Sequence, residues 1–388
     1  MEFTYCLPDG GLRTATYFDS LGTIKFDPPI YELRYSTAIR VIEDGIWGEK
    51  FKSIVDFGCA EMALFPLLRR CSDLERILEV DIDETLLKTS LHKTEPLISD
   101  HLQKRKHPLK VEVYKGSVVD SVDYIKNIEV VLALELIEHL HSDVLDKLPN
   151  NVFGFMQPKL AIFSTPNAEF NILFDSLLPN GFRHLDHKFE WTRKEFQSWA
   201  FNICELYKNY KVAFIGVGKA PPDHKKIGYV TQFAIFARKD ILNEPLFSPI
   251  QSFEDDKFDN NQYKQLRTVN YPFNEDSRSK EEKILNEVEY HVNRCKRIDR
   301  FYNREKEIYQ IPISLILSHI EHLDGTENEL LHILSSNNYK VENDFIYCED
   351  DSLCFHEEAG YGESVSDDDN FSDIPNHDVT DDYEENWD

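Results

Sequence analysis

The sequence predicts an α/β protein built on a mainly parallel sheet with helices on both faces. Three observations carry this. Short apolar runs alternate with helical patterns from about Phe51, two late strand-like runs follow each other without a helix between them, and the composition changes after Asp240. The early runs are "KSIVDF", "RILEVD", "VEVYKG", "IEVVLALE" and "KLAIFST", separated by helical stretches such as "DETLLKTSLH" and "SDVLDKL". Strand–helix alternation implies parallel strands joined by crossover helices. The late pair, "KVAFIGVG" and "GYVTQFAIFAR", predicts a hairpin at one sheet edge.

The ends of these strands carry the candidate chemistry, because open α/β sheets build sites at their carboxyl ends. "SIVDFGCAE" places Asp56 and Gly58 at the first turn, with a helix expected from near Glu61. Glycine there lets the backbone bend tightly against a ligand. The second strand ends in Asp81, placed to accept hydrogen bonds from ribose hydroxyls. Asp83, two residues on, reads as a helix N-cap. Ser117 follows the third strand, where it reads as an adenine contact or as an ordinary turn serine. A single glycine is too few for a pyrophosphate cradle, so the pattern favours a nucleoside cofactor without phosphates.

After the fourth strand comes "LELIEHLH", with Glu135, Glu138 and His139 spaced to share one face of a helical turn. Alone, this is either a ligand set or the charged face of an amphipathic helix. A second cluster, "GFRHLDHKFEWTRKEFQSWA", brings His184, Asp186 and His187 ahead of a helix capped by Thr192 with Glu195 three residues on. It follows the fifth strand and so emerges at the same end of the sheet as the fourth. Two carboxylates and two imidazoles form a plausible six-coordinate set with open positions. The oxygens suit Mg²⁺, and the imidazoles move the preference toward Mn²⁺ or Co²⁺. "SHIEHL" repeats the Glu321–His322 pair later in the chain but has Ser318 where the first acid should stand, and reads as a helix face.

The formal charge is −27, but Val341–Asp388 holds 18 acids and no Lys or Arg. The remaining 340 residues carry 52 acids against 43 bases, so the total does not exclude a nucleic-acid partner. No run of about 18 apolar residues predicts a membrane span. The start has no secretory pattern, and the seven scattered cysteines include no CxxC pair, which favours reduced thiols in the cytosol or nucleus. The expected organisation is an N-terminal segment (1–25), a catalytic domain (26–240), a linker or mobile loop (241–280), a helical appendix (281–345) and a disordered acidic tail (346–388).

The motifs together resemble the small RNA 3′-terminal 2′-O-methyltransferases, the Hen family. The matching stretches are "FDPPIYELRY", "VDFGCAE", "LELIEHL", "STPNAEFN", "DHKFEWTRKEFQSWA" and "GVGKAPPDHKKIGYVTQFAIF", in order over residues 24–240. The appendix and tail fall outside the resemblance. It implies the seven-stranded fold of class I S-adenosylmethionine-dependent methyltransferases, with that cofactor held through Asp56, Gly58, Asp81 and Ser117. It implies that Glu135, Glu138, His139 and His187 are catalytic metal ligands for Mg²⁺ or Mn²⁺, His187 being preferred to His184 because it belongs to "DHKFEW". Phe26, Pro28, Pro29 and Arg34 match a motif for the RNA 3′ end, although Phe26 also reads as core and Arg34 as the partner of an acid. The short lead-in resembles animal members. Those methylate single-stranded small RNAs, chiefly piRNAs carried by Piwi-class Argonaute proteins, which protects their 3′ ends. A monomer in the cytoplasm, in germline RNA granules, is the expected setting. The alternative is a small-molecule or lipid O-methyltransferase of the same fold, which should lack "DHKFEWTR".

Overall fold

The computed structural model describes residues 1–8, 14–175, 177–250, 260–274 and 278–349. The chain divides into two compact units, Met1–Glu275 and Asp276–Asp388.

In the first unit a hairpin of β1 (Ala15–Phe18) and β2 (Ile24–Asp27) leads through Pro28 and Pro29 into α1 (Ile30–Ile42). The central parallel strands are β3 (Ser53–Phe57), β4 (Arg76–Asp81), β5 (Leu109–Lys115), β6 (Val130–Leu134) and β7 (Leu160–Pro166). They lie side by side as β5-β4-β3-β6-β7. Beyond β7 the expected hairpin is present: β8 (Tyr210–Lys219) pairs antiparallel with β9 (Tyr229–Arg238), and β9 pairs antiparallel with β7. Side-chain alternation divides the core, because successive strand residues face opposite sides. Ile54 joins the apolar cluster that includes Leu33 and Val41 of α1. Val55 joins the cluster around Phe163 and Phe196. Phe196 belongs to α2 (Arg193–Leu206), which starts at Thr192 in the expected capping box with Glu195.

The sheet has eight strands, not seven. Residues 264–271, expected within a linker, form β10 (Lys264–Tyr271), antiparallel to β5 at the far edge. The polar composition hides it, since only Val269 and Tyr271 on its inner face are buried. The N-terminal segment also belongs to the first unit. The Phe3 amide donates to the Val212 carbonyl, and Tyr5 stacks on Trp47 at 5.6 Å. The helix expected from Glu61 starts at Phe65, because Ala60 and Met62 have φ of 46° and 57°, so the intervening residues make a tight turn.

The second unit is more than a helical appendix. α3 (Lys280–Cys295), α4 (Ile313–Ile320) and α5 (Glu327–Ser336) are joined by β11 (Tyr302–Asn303), β12 (Ile308–Pro312), β13 (Lys340–Glu342) and β14 (Phe345–Glu349). The four strands form one antiparallel sheet in the order β11-β12-β14-β13. β14 begins where the acidic tail was expected. Asn343 and Asp344 adopt positive φ, which suits a tight hairpin turn, and Ile346 and Cys348 alternate inward. The rest of the predicted tail lies outside the described residues. Among the described residues no helix is long and apolar enough to cross a membrane.

Tyr271 ties β10 to the first unit: its ring is buried and its hydroxyl donates to the Thr94 carbonyl at 3.0 Å. Tyr271→Ala is expected to lower the unfolding free energy by about 3 kcal/mol. Urea denaturation of the full chain measures this, and an unchanged midpoint would show β10 to lie outside the cooperative core.

Candidate active site and cofactor turn

The first turn is shaped by backbone. Gly58 has a φ of 72°, and a Cβ there would stand 2.8 Å from Cδ1 of Leu136. Gly58 is therefore required twice, for its conformation and for the close approach of the segment after β6. Asp81 closes the turn, accepting from the amides of Ala60 at 2.9 Å and Asp83 at 2.8 Å. Asp83 caps the next helix, Glu84–Ser90, as expected, through the amides of Thr85 and Leu86. Asp56 is buried at the end of β3; burial, and then the charge of Asp81, push its carboxyl up to about 8. Opposite it on β4 lies Glu79, fully buried, with the Cys59 thiol beside it and no stronger donor on either oxygen. Burial, reinforced by Asp56, pushes that carboxyl far up. Glu79 was not among the expected site residues because it lies within a strand.

Ser117 sits in the turn after β5, and a residue from the supposed linker packs against it. The Tyr263 hydroxyl donates to the Ser117 carbonyl at 3.0 Å, and a Cβ on Gly116 would stand 2.5 Å from the Tyr263 ring. Asn260 ties down the far end of the same loop, accepting from the Asp123 amide and donating to its carboxylate, both at 2.8 Å.

At the end of β6, Glu135 and Glu138 do not share a helical face. Glu135 has a φ of 50° and precedes a single 3₁₀ turn, Ile137–His139. The Glu135 amide donates to Ser164, whose hydroxyl donates to Glu135 Oε1 at 2.8 Å. Glu135 Oε2 lies 3.4 Å from the Arg34 guanidinium, so the described partner of Arg34 is an acid of the site. Glu138 is fully buried. Its Oε2 accepts from the Thr165 hydroxyl at 3.0 Å, while Oε1 has no hydrogen-bond partner. Burial, then the neighbouring Glu135 carboxylate, push its pKa well up.

His139, His184 and His187 converge, with ligand nitrogens within 4.8 Å of one another. His184, which the resemblance left aside, is thus part of the cluster. Burial and the other two rings depress the pKa of His139 to about 4, so its imidazole is neutral at physiological pH. His187 is oriented by Glu190, whose carboxylate lies 2.6 Å from Nδ1. That leaves Nε2 facing outward from the pair, the arrangement in which a carboxylate fixes a ligating imidazole. Glu190 also accepts from the Arg183 amide at 2.7 Å and from the Asn171 side chain at 2.6 Å. Its burial opposes the charge, but these bonds hold its pKa below the usual range. Glu190 lies inside "DHKFEW" yet had no expected role; its spacing of three from His187 was the available signal.

The distant motifs "STPNAEFN" and "DHKFEWTR" buckle together here. Glu169 pairs with Arg193 at 2.6 Å, Asn171 bonds Glu190, and the Ala168 amide donates to the Trp191 carbonyl at 3.0 Å. Half-buried Arg183 spans the same loops, donating to the Asn171 side chain and to the carbonyls of Asn167 and Val230. Phe26 lies against Phe170, with ring centroids 6.0 Å apart, in a small apolar cluster. Pro28 is half-buried and Pro29 exposed where α1 begins.

A sheet of this order, with a glycine turn and an aspartate at the ends of its first two parallel strands, defines an S-adenosylmethionine-dependent methyltransferase. The comparisons narrow this. The chain is 44% identical over 330 residues to a small RNA 2′-O-methyltransferase of Drosophila melanogaster, covering 83% of this chain and 84% of that protein. It is 36% identical over 276 residues to one of Gallus gallus, covering 71% and 70%. Residues 281–350 match the HEN1 methyltransferase C-terminal domain. The second unit, which the sequence motifs left outside the resemblance, is therefore a family feature. A crystal structure of small RNA methyltransferase HEN1 aligns at 30% identity with a TM-score of 0.49, over 67% of this chain and 29% of that one. The chain belongs to the small RNA 2′-O-methyltransferase family.

Removing the Tyr263 ring is expected to loosen the Ser117 turn. Tyr263→Ala should raise the dissociation constant for S-adenosylmethionine about tenfold, about 1.4 kcal/mol, with Tyr263→Phe in between. Calorimetric titration checks this; equal affinities in all three proteins would separate Tyr263 from cofactor binding.

Proposed function

We propose that this chain transfers the methyl group of S-adenosylmethionine to the 2′-hydroxyl of the 3′-terminal nucleotide of single-stranded small RNA, with a divalent ion beside the histidine cluster that follows β6 and β7. The observation that carries the reading is the contact of Gly58 with Leu136, which gives the cofactor turn and the Glu135–His139 segment a common wall. On this reading the methyl donor and the acceptor site adjoin across that wall.

The donor set fits a divalent ion. A buried carboxylate oxygen without a partner, a second carboxylate near it and the neutral imidazole of His139 beside two further rings are groups that a cation satisfies. Glu135, Glu138, His139 and His187 would hold it, with His184 at the margin. When bound, such an ion supplies Lewis acidity that lowers the pKa of a ribose hydroxyl. The chain's own part is positional. Glu190 fixes the ring of His187, Ser164 and Thr165 fix the two carboxylates, and Asp81 with the Gly58 turn holds the cofactor. Orientation of this kind accounts for a large share of catalysis in a direct transfer. Arg34, beside Glu135, would meet the phosphodiester on the 5′ side of the terminal ribose, and Phe26 packs on Phe170. By family resemblance the RNA is a piRNA presented by a Piwi-class Argonaute, and the methyl mark protects its end. The lipid or small-molecule alternative has no observation in its favour once the family is shown.

Two outcomes test this. Labelled S-adenosylmethionine should mark synthetic RNA ending in a free 2′,3′-diol, while chelator or a 3′-phosphate should abolish the label; equal labelling of the phosphorylated end would remove the diol requirement. Separately, Glu190→Gln should weaken Mn²⁺ binding by about 10- to 100-fold in calorimetry while sparing cofactor affinity. Unchanged Mn²⁺ affinity would reduce Glu190 to a loop anchor.

A further inference from the structure

The second unit has a polarised charge, and four of its clustered cations form no ion pair among the described residues. Of the ten Lys and Arg between 278 and 349, six fall within Arg294–Lys306, beside two acids. The other positions of that range carry twelve acids and four bases. A chain this acidic, concentrating its cations in thirteen residues, creates a local field opposite to its net charge. The six cations run from the last turn of α3, through the 3₁₀ turn Asp299–Phe301, to the tip between β11 and β12.

Arg294, Arg297, Arg300, Arg304 and Lys306 are exposed. Arg294, Arg297, Arg304 and Lys306 make no side-chain ion pair among the described residues. Elsewhere in the unit cations do find acids, as Lys280 does with Glu329 at 2.7 Å. Complementing the helix dipole accounts for basic residues at the end of α3. It does not account for Arg300, Arg304 or Lys306, which lie beyond the helix.

Aromatic rings accompany the charges. Tyr290 is 62% exposed, one helical turn before Arg294 and so on the same face of α3. The Arg300 guanidinium lies 4.5 Å from the centre of the Phe301 ring. Phe301 itself packs partly against the core of the unit, which leaves Tyr290 as the exposed ring; cations without acid partners beside an exposed ring bind single-stranded nucleic acid without reading its sequence, through phosphates and stacked bases.

We infer that the Arg294–Lys306 surface of the C-terminal unit binds the body of the single-stranded RNA substrate, as a second anchor away from the methylated end. This rests on RNA being the substrate, and it divides the work between the units. The active site selects the end, and the basic surface retains the strand. Recognition through phosphates is independent of base sequence, as a modifying enzyme for many small RNAs requires.

The test is a full-length variant carrying Arg294→Ala, Arg297→Ala, Arg304→Ala and Lys306→Ala, with thermal unfolding to establish that it folds. Single-stranded RNAs of about 6 and about 25 nucleotides, the shorter close to one binding-site length, are compared as ligands and substrates. The expected result is an increase in KM for the longer RNA on the order of tenfold, with a salt dependence of log K shallower by about 2 to 3. KM for the shorter RNA, and cofactor affinity, stay as in the parent. An unchanged KM and salt slope for the longer RNA would overturn the proposal, including where the variant instead loses binding to a protein partner. Equal losses for both lengths would also overturn it, by showing a general effect. If the parent protein methylates neither RNA, the proposed substrate itself fails, which is a different result from parent activity that the variant retains.

Discussion

The parallel pairing of β3 with β6 is the constraint on which the site depends. Ile54, Val55 and Asp56 lie against Val130, Val131 and Leu132, and at this seam the strand order reverses. Chain leaving β3 turns toward one side and chain leaving β6 toward the other, so a crevice opens at their carboxyl ends. The Gly58 turn and the Glu135–His139 segment are the two lips of that crevice. Because both ends are set by one hydrogen-bonded ladder, neither lip shifts without disturbing the core on both faces of the sheet.

The second level of order is the buckling of the loop after β7. A loop that must present imidazoles cannot be left to its own entropy, since each free residue costs about 1–2 kcal/mol to fix. Here Glu190, Arg183, Asn171 and the Glu169–Arg193 pair distribute that cost over bonds shared with the strand ends. The ionic groups satisfy one another: Arg183, which burial depresses to about 10, faces the Glu190 carboxylate and accepting carbonyls. Much of the motif that marks this family is therefore support for the groups that would touch substrate.

What was legible in the sequence follows from this division. Strand ends could be read because alternation and crossover lengths fix where each strand stops, which located Asp56, Asp81, Ser117 and Glu135. The capping box at Thr192 is a local signal and was equally plain. Three things were not legible. Tyr263 reaches Ser117 across 146 residues, and nothing local joins them. The positive φ of Glu135 replaced the expected helical face because the amide remained bonded to Ser164 of the adjacent strand, a tertiary demand that outweighs spacing. β10 was hidden because an edge strand has little to bury, so its composition is that of a loop.

β10 has a consequence for the edge of the sheet. After β9 the chain lies at the β7–β9–β8 side, and the next strand is added at the opposite edge, beyond β5. Crossing β7, β6, β3, β4 and β5 means passing six strand spacings, roughly 29 Å. β10 gives β5 a partner along its whole length. A fragment ending with the hairpin would expose a bare row of backbone donors and acceptors there, the template on which sheets of separate molecules join. The polar strand that resembles a linker is therefore the cover of a sheet edge.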